Sequence, residues 1–583
     1  MKRFVAELIR RKVLRVTAAY LVVGFAVLEA ADILRDTMRL PPQLLHVVTL
    51  VLILGIPLTV ALTWIFEISS SGVRRTQPAA DAESVSRIWP ITGIVLLSTL
   101  ALGATTWVIP EASRGRSRPE PSQASIAVLP FVNLSGDPAN DYFGDGLAEE
   151  LTNTLSHVGD LRVAARTSSF AFKGRQIDAM EIGDILGVAA LLEGSVRRQG
   201  SRVRIGAQLI RAVDGLSLWS QAWERELTSA NVFAIQDEIT HAIAGELERE
   251  LLPGSSRLAE RRTDDIEAYD LYLLGRHQWA KRTADGLSSA ISFFEQAIER
   301  DSSFALAWAG LADSWEARPF FDSSVTMAEA ERAARPAAEK ALDLASHLAE
   351  SHAALGVILS DYDFDYPAAI SRLNAAVELN PNYAQAWSWL CVAQTMSGDP
   401  TTALASCDRA VALDPLSPIP RVQRGLALMV LDRHEEALYA FVAGDDLGPL
   451  SWVLAVATRL QLGQTDEIDE DLVRTGAALG LPDPQRMRSV AATIRGEGGR
   501  ETSLAILHDL EAAHRIGFLE LAPLYAWVGA PEEAWRVFAQ AIAERDPWLP
   551  FAGSVTSFAP LHQDPRFAAA LDSLGIRGGR SAE

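Results

Sequence analysis

Two cysteines, Cys391 and Cys407, are the residues of this chain whose type and spacing could support covalent chemistry. Two thiols are too few for a Cys-rich zinc site or a multi-disulfide scaffold. The sequence also lacks G-x-x-x-x-G-K-[ST], H-E-x-x-H and G-x-S-x-G motifs, and its histidines show no ligand spacing. A nucleophile and its base need be neighbours only in space, but nothing here indicates such a pair. We therefore predict a non-enzymatic protein with no catalytic residue, no cofactor and no metal site.

Both cysteines lie in residues 384–415, which read as two short amphipathic helices joined by a Ser-Gly-Asp turn. Cys391 and Cys407 would occupy facing positions of this antiparallel pair, so we predict that they can form a disulfide. Two packed free thiols are the alternative. A Cα separation above about 7 Å would exclude the bond.

The same plan recurs along the chain, with small residues at the expected helix crossings and Pro or Asn-Pro near the ends. The recurring segments are 267–302, 305–346, 349–381, 384–415 and 418–449. This pattern resembles the tetratricopeptide repeat (TPR), in which Cys391 takes the glycine place and Cys407 the aromatic place. The resemblance implies an all-α TPR solenoid over residues 265–449, followed by degenerate TPR-like helices and a C-terminal cap over 450–583.

A TPR solenoid is concave along the first helices of its repeats. By the family pattern, a set of acidic, polar and apolar side chains would face that groove and bind a peptide with basic and hydrophobic anchors. The set is Asp313, Glu316, Glu350, Val357, Asp361, Gln385, Ser388, Val392, Thr395, Met396, Leu426, Met429 and Val430. A solvated inner face without a ligand is the alternative. We predict a protein or peptide partner and no small-molecule substrate.

Between residues 125 and 250 the periodicity changes to alternating β and α elements, which predicts a small α/β domain with a mixed sheet. The segments IAVLPFVNLSGDPANDYFGDGLAEELTNTLS, RVAARTSSFAFKG, LLEGSVRRQGSRVRIGAQL and WSQAWERELTSANVFAIQDEI resemble the TolB amino-terminal-like domain, related to the FlgO and CsgG group. That resemblance implies an envelope protein and brings no known active site.

The first 110 residues contain three apolar runs, at about 13–34, 44–66 and 88–109, each near the roughly 20 residues needed to cross a bilayer. We interpret them as transmembrane helices, with residues 111–124 as a linker. The region also resembles the paired-helix anchor that precedes TPR regions in many proteobacterial proteins, which implies a Gram-negative inner membrane. Basic residues before the first run favour a cytoplasmic N-terminus, which places the chain after about residue 110 in the periplasm. Cytoplasmic placement is the alternative.

The formal charge of −21 disfavours nucleic acid as a partner. Taken together, the sequence predicts a multidomain fold: transmembrane α-helices, a small α/β domain and an all-α TPR solenoid. Its predicted role is an inner-membrane-anchored interaction scaffold in envelope assembly or regulation. The alternative is a membrane signalling component, since the same domain pair follows adenylate cyclase and winged-helix domains in relatives.

Overall fold

The computed structural model describes residues 66–69, 72–75, 124–136, 141–158, 161–199, 202–226, 263, 265–322, 324–443, 448–513, 517–546, 548–553 and 555–574, with isolated positions at 20, 23, 52 and 242. The chain divides into two compact units, Met1–Pro119 and Glu120–Glu583. In the first unit, β1 (Phe66–Ser69) and β2 (Gly72–Arg75) form an antiparallel hairpin in which Phe66 pairs with Arg75.

The predicted membrane anchor is contradicted. Within the described part of the chain, no helix has both the length and the apolarity that a bilayer crossing requires. The predicted runs at 13–34, 44–66 and 88–109 lie almost wholly outside the described residues, and the second ends at Phe66, where the backbone has already entered the β1–β2 hairpin. The fold class with transmembrane helices and the multi-pass inner-membrane location with a periplasmic C-terminal part are therefore corrected.

The second unit begins with the predicted mixed sheet, which is confirmed. Its strands are β3 (Ser125–Val128), β4 (Val132–Asn133), β5 (Arg162–Val163), β6 (Ala190–Gln199), β7 (Arg202–Arg211) and β8 (Ser217–Glu226). The strand order is β5-β3-β6-β7-β8, and β4 pairs with β6 beyond the end of β3. Strand β3 pairs in parallel with β5 and β6, and β4 pairs in parallel with β6, whereas β6, β7 and β8 form an antiparallel meander.

Three helices cover the sheet: α1 (Asp141–Ser156), α2 (Arg166–Phe170) and α3 (Ala179–Leu186). Alternation in β7 sends Val203, Ile205 and Leu209 into the core beneath α1. Ala242, an isolated described position, packs against the same core.

The rest of the unit is a TPR-like helical solenoid. Its helices are α4 (Ile266–Trp279), α5 (Ala284–Arg300), α6 (Ala305–Ala317), α7 (Met327–Leu344), α8 (Ala349–Asp361), α9 (Tyr366–Leu379), α10 (Ala384–Met396), α11 (Pro400–Leu413), α12 (Pro418–Val430), α13 (His434–Val442), α14 (Pro449–Leu462), α15 (Ile468–Ala478), α16 (Met487–Ile494), α17 (Arg500–Ala512), α18 (Phe518–Trp527), α19 (Pro531–Glu544), α20 (Leu549–Ala552) and α21 (Pro565–Ser573).

Local sequence fixes where these helices begin. Asp399 accepts a hydrogen bond from the Thr402 amide, and Pro400 occupies the first turn of α11, where its missing N–H costs nothing. At the start of α7, Thr326 and Glu329 form a reciprocal capping box. These caps set the length of each helix and hence the turn that follows it.

Close packing inside several pairs depends on a glycine in the first helix. A Cβ at Gly275 would lie 2.6 Å from the ring of Phe294, and one at Gly425 would lie 2.4 Å from the ring of Phe441. Between these two pairs, α10 and α11 carry Cys391 and Cys407 instead. The structure joins them in a disulfide with a Cα separation of 5.1 Å. A covalent bond therefore replaces the contact of a glycine with a bulky side chain.

Candidate functional site

The α/β domain packs against the solenoid within the second compact unit, and a cavity lies between the two. The cavity measures about 860 Å³ and lies between α1 and α2 on one side and α4, α6, α8, α10, α12 and α14 on the other. This volume falls within the range typical of ligand pockets in proteins.

Buried hydrogen bonds fix the α/β wall to the solenoid. Asn382, in the turn before α10, donates from its side-chain amide to the carbonyls of Ser156 and Leu161. Asn380 donates to the Ser156 hydroxyl at 2.8 Å. One repeat further on, the Ala165 amide donates to the carbonyl of Leu413 at 2.8 Å. Because these groups are buried, each bond satisfies a polar atom that water cannot reach.

An ion-pair network forms the cationic wall. Glu149 of α1 lies 2.9 Å from Arg166 Nε and 2.8 Å from Arg276 Nε of α4. Burial alone would raise the pKa of Glu149, but the two guanidinium groups hold it below its ordinary value. Arg276 also lies over the ring of Trp279, and Arg282 lies over the same ring at 3.8 Å. Glu149 and Trp279 therefore hold these arginines in place.

An acidic wall lies on α6 and α8. Asp313 and Glu316 are 4% and 7% exposed. Burial raises the pKa of Asp313 to about 7 and that of Asp361 to about 7. The pKa of Glu316 lies well above its ordinary value, because the group is buried and faces Asp361 at hydrogen-bonding distance. The carboxyl groups of Asp313 and Asp361 therefore gain or lose a proton near neutral pH.

Aromatic side chains close the far side of the cavity. Phe320 follows α6, and its ring meets that of Trp548 edge-on, with centroids 6.4 Å apart. Trp548 precedes α20 in the C-terminal cap. The contact therefore joins the residues that follow α6 to the C-terminal cap at the cavity lining.

Six of the predicted groove residues line this cavity: Glu316, Glu350, Asp361, Gln385, Ser388 and Val392. Asp313 belongs to the acidic wall but is buried and does not itself line the cavity. Six others do not line the cavity. Val357, Thr395, Leu426 and Met429 are buried, and the partly exposed Met396 packs against the C-terminal core. Val430 ends α12 away from the cavity.

Sequence patterns did not predict that the cavity is lined by the α/β domain, by the arginines of α4 and the turn after it, and by Trp548 of the cap. The available signals were weak. Asn380 and Asn382 were visible as residues of a helix stop, but nothing local shows that they bind a second domain. The Arg276, Trp279 and Arg282 cluster does have helical spacing.

No protein-family model matches the chain. A Rhizobium meliloti (strain 1021) protein described as "Putative adenylate cyclase 3" is 42% identical over 193 residues, which are 33% of this chain and 32% of that protein. The chain thus spans about a third of the length of this curated relative.

Three solved structures are similar to part of the chain. The Thermus thermophilus TPR protein TTC0263 is 19% identical, with a TM-score of 0.26, and covers 37% of this chain and 100% of its own. Pseudomonas aeruginosa PilF is 18% identical with a TM-score of 0.29, covering 38% and 95%. PilW, a type IV pilus biogenesis factor, is 16% identical with a TM-score of 0.31, covering 38% and 97%.

Proposed function

We propose that this chain is a non-enzymatic scaffold that holds a segment of a partner protein in the cavity between the α/β domain and the solenoid. One observation carries the proposal. Side chains of three successive first helices, Glu316 of α6, Asp361 of α8 and Val392 of α10, line a single cavity. That is the arrangement in which a helical-repeat protein contacts an extended or helical segment.

The chemistry of the lining supports a protein segment with mixed anchors. Val392, Trp389 and Phe320 offer apolar contacts, and the acidic wall offers carboxyl groups. Gln385 and Ser388 can bond to backbone groups of a segment, although Ser388 already donates to Gln423. Val357, Thr395, Leu426 and Met429 lie outside the cavity, and α12 contributes other side chains to the lining, among them Ile419 and Val422.

The rigid attachment of the α/β domain limits how such a segment enters. Glu149 and Asn382 fix one wall, and the Phe320–Trp548 contact spans the other side. A cavity of about 860 Å³ holds a few side chains rather than a long extended chain. We therefore infer that the partner inserts a short segment or a chain end.

Photocrosslinking of the full chain in cells tests this proposal. A photoreactive residue replaces Val392, and Tyr439, which is 71% exposed on α13, serves as the matched control site. We expect adducts at Val392 that map to one segment of one partner and that disappear when Gln385→Trp fills the cavity. Adducts that are equal at both sites, or unchanged by Gln385→Trp, would disprove the groove.

The identity with the Rhizobium meliloti relative favours a second candidate, a regulatory part of a signalling protein. Because the match covers only 32% of that relative, its activity is not transferred to this chain. A cyclase assay with the full chain and a DNA mobility shift separate the two candidates. We expect no cyclic AMP in the cyclase assay. We expect no DNA mobility shift, because the net charge of −21 repels nucleic acid. Activity in either assay would replace the scaffold proposal.

A further inference from the structure

We propose that the acidic wall of the cavity, formed by Asp313, Glu316 and Asp361, is a binding site for an organic cation. The cation is an ammonium or guanidinium group, carried either by a free small molecule or by a Lys or Arg side chain of an inserted segment. The site goes beyond the proposed scaffold function, since a free cation would bind without any partner protein.

None of the ion pairs found among the described residues involves Asp313, Glu316 or Asp361. Instead, Glu316 and Asp361 face each other across adjacent first helices at hydrogen-bonding distance. Two carboxyl groups in such contact must share a proton or accept a cation between them.

Asp313 supplies an independent observation. Its carboxyl group is 4% exposed, and its Oδ1 atom has no hydrogen-bond partner. The charges that act on it belong to Arg276, Arg282 and Glu350, whose side chains all line the cavity. An unpaired buried carboxyl oxygen is costly, so a cationic donor that reached it would be bound favourably.

The fixed arginines do not fill this role. Arg276 is paired with Glu149 at 2.8 Å, and Arg282 lies over the ring of Trp279, from where its charge acts on Asp313 and Glu316 without a direct ion pair. Moving either guanidinium group to Glu316 would break its contact with Glu149 or with the ring of Trp279. The space beside the acidic wall therefore remains available to a cation that arrives from outside.

The surroundings favour an organic cation over a metal ion. Within the described residues, no group of three or more His, Cys, Asp or Glu side chains is arranged to hold a metal ion. Hard cations such as Ca²⁺ need six or more oxygen ligands. Tyr383, Trp389 and Phe320 instead offer apolar and aromatic surface next to the carboxyl groups. An ammonium or guanidinium group on an apolar stem matches this combination.

Cation binding at this site should depend on pH, because binding and proton release are linked. Burial, together with the charge of Asp546 in the C-terminal cap, raises the pKa of Asp361 to about 7, and burial raises the pKa of Asp313 to about 7. Arg282 and Arg276 act in the opposite direction. A cation favours the ionised carboxylates, so its binding releases protons and weakens as the pH falls below about 7.

Isothermal titration calorimetry of the full chain tests the site with two probes, 1,4-diaminobutane and acetyl-Leu-Lys-Leu-amide. The neutral counterparts are 1,4-butanediol and the peptide with norleucine in place of lysine. We expect saturable binding of at least one cationic probe at about pH 8 and at least a tenfold loss of affinity at about pH 6. The neutral counterparts should not bind. Which probe binds identifies the source of the cation.

Glu316→Gln and Asp361→Asn are the test variants, and Glu299→Gln on the exposed face of α5 is the control with the same change of charge. We expect each test variant to lose cation binding at least tenfold while melting no lower than the wild type, because removing an unpaired buried charge relieves strain. Failure of both cations to bind, or equal binding by Glu316→Gln and Glu299→Gln, overturns the site.

The crosslinking experiment keeps the two proposals apart. Cation binding without partner adducts at Val392 would overturn the scaffold function and leave the cation site standing. Adducts at Val392 that persist in Glu316→Gln, with no cation binding in the wild type, would overturn the cation site alone.

Discussion

The side-chain amide of Asn382 donates a 2.9 Å hydrogen bond to the backbone carbonyl of Ser156, at the end of α1. The same amide nitrogen donates to Leu161 O at 2.7 Å, and its oxygen accepts from the Val163 amide at 3.3 Å. One solenoid side chain thus satisfies three backbone groups of the α/β domain. The relative position of the two domains depends on it.

We predict that Asn382→Ala loosens the α/β domain from the solenoid. It leaves the buried carbonyls of Ser156 and Leu161 without this donor, which costs about 3 kcal/mol in total. Hydrogen exchange should therefore speed up at the amides of Val163 and Ala165. Asn374→Ala, in the middle of α9, is the control. Equal exchange in the two variants would show that the asparagine is not the anchor.

Removing the charge of Glu149 should destabilise the protein at neutral pH. Glu149→Gln leaves Arg166 and Arg276 largely buried without their counter-ion, at a cost of about 3 kcal/mol in the free energy of unfolding. Because the folded-state pKa of Glu149 lies below its ordinary value, this contribution is present above about pH 4.5 and is lost on further acidification. Urea unfolding at several pH values measures it, with Glu150→Gln as the neighbouring control.

The acidic wall should give the opposite pH dependence. Asp361 has a pKa of about 7 in the folded protein and an ordinary value of 3.8, so the folded state binds the extra proton between these values. Without a ligand, its contribution to the unfolding free energy is largest at low pH and is lost as the pH rises through about 7. Melting temperatures measured from pH 5 to pH 8 should fall less steeply in Asp361→Asn. Equal slopes would contradict the assignment.

Loss of the Cys391–Cys407 bond should lower stability without unfolding the repeat. The bond closes a loop with a sequence separation of 16, which corresponds to roughly 3 kcal/mol in the chain-entropy model. Both cysteines are buried, so the native protein should resist mild reductants and show no reactive thiol. Thiol titration with and without denaturant, together with urea unfolding of Cys391→Ala/Cys407→Ala, measures these effects.

Restoring the residue pattern of the neighbouring repeats provides the control for that prediction. Cys391→Gly with Cys407→Phe should fold, because it recreates the contact seen between Gly425 and Phe441. Cys407→Phe alone should be less stable than the double variant by about 1–3 kcal/mol, since the new ring would clash with the side chain of Cys391. If the single variant is as stable as the double variant, the two positions do not face each other in the packed pair.

Local periodicity was sufficient for the individual elements. Helix α1, from Asp141 to Ser156, lies in the region where the sequence predicts alternating β and α elements, and the alternation of β7 gives its buried face. The facing positions of Cys391 and Cys407 also follow from the repeat pattern. In each case the information lies within one helix, one strand or one pair.

Relationships across the chain were not predictable in this way. The sequence around Asn382 is typical of an ordinary turn, and that around Glu149 is typical of an exposed helix face. The sequence around Trp548 indicates only a C-terminal cap. Each gains its role only when distant segments meet. The membrane interpretation failed for a related reason, since apolar composition near Phe66 does not show whether the backbone continues as a helix or turns into a hairpin.

The docking of the two domains also bears on how the chain is synthesised. Arg162 of β5 donates to the carbonyl of Ala412, 250 residues later. At ribosomal rates of about 5–20 residues per second, the acceptor emerges roughly 12–50 s after the donor. Until Asn382 is synthesised, the carbonyls of Ser156 and Leu161 have no solenoid partner, and the amide of Ala165 has none until Leu413 is synthesised. A nascent chain stalled before α11 therefore presents an incomplete α/β surface, the kind of surface that chaperones bind.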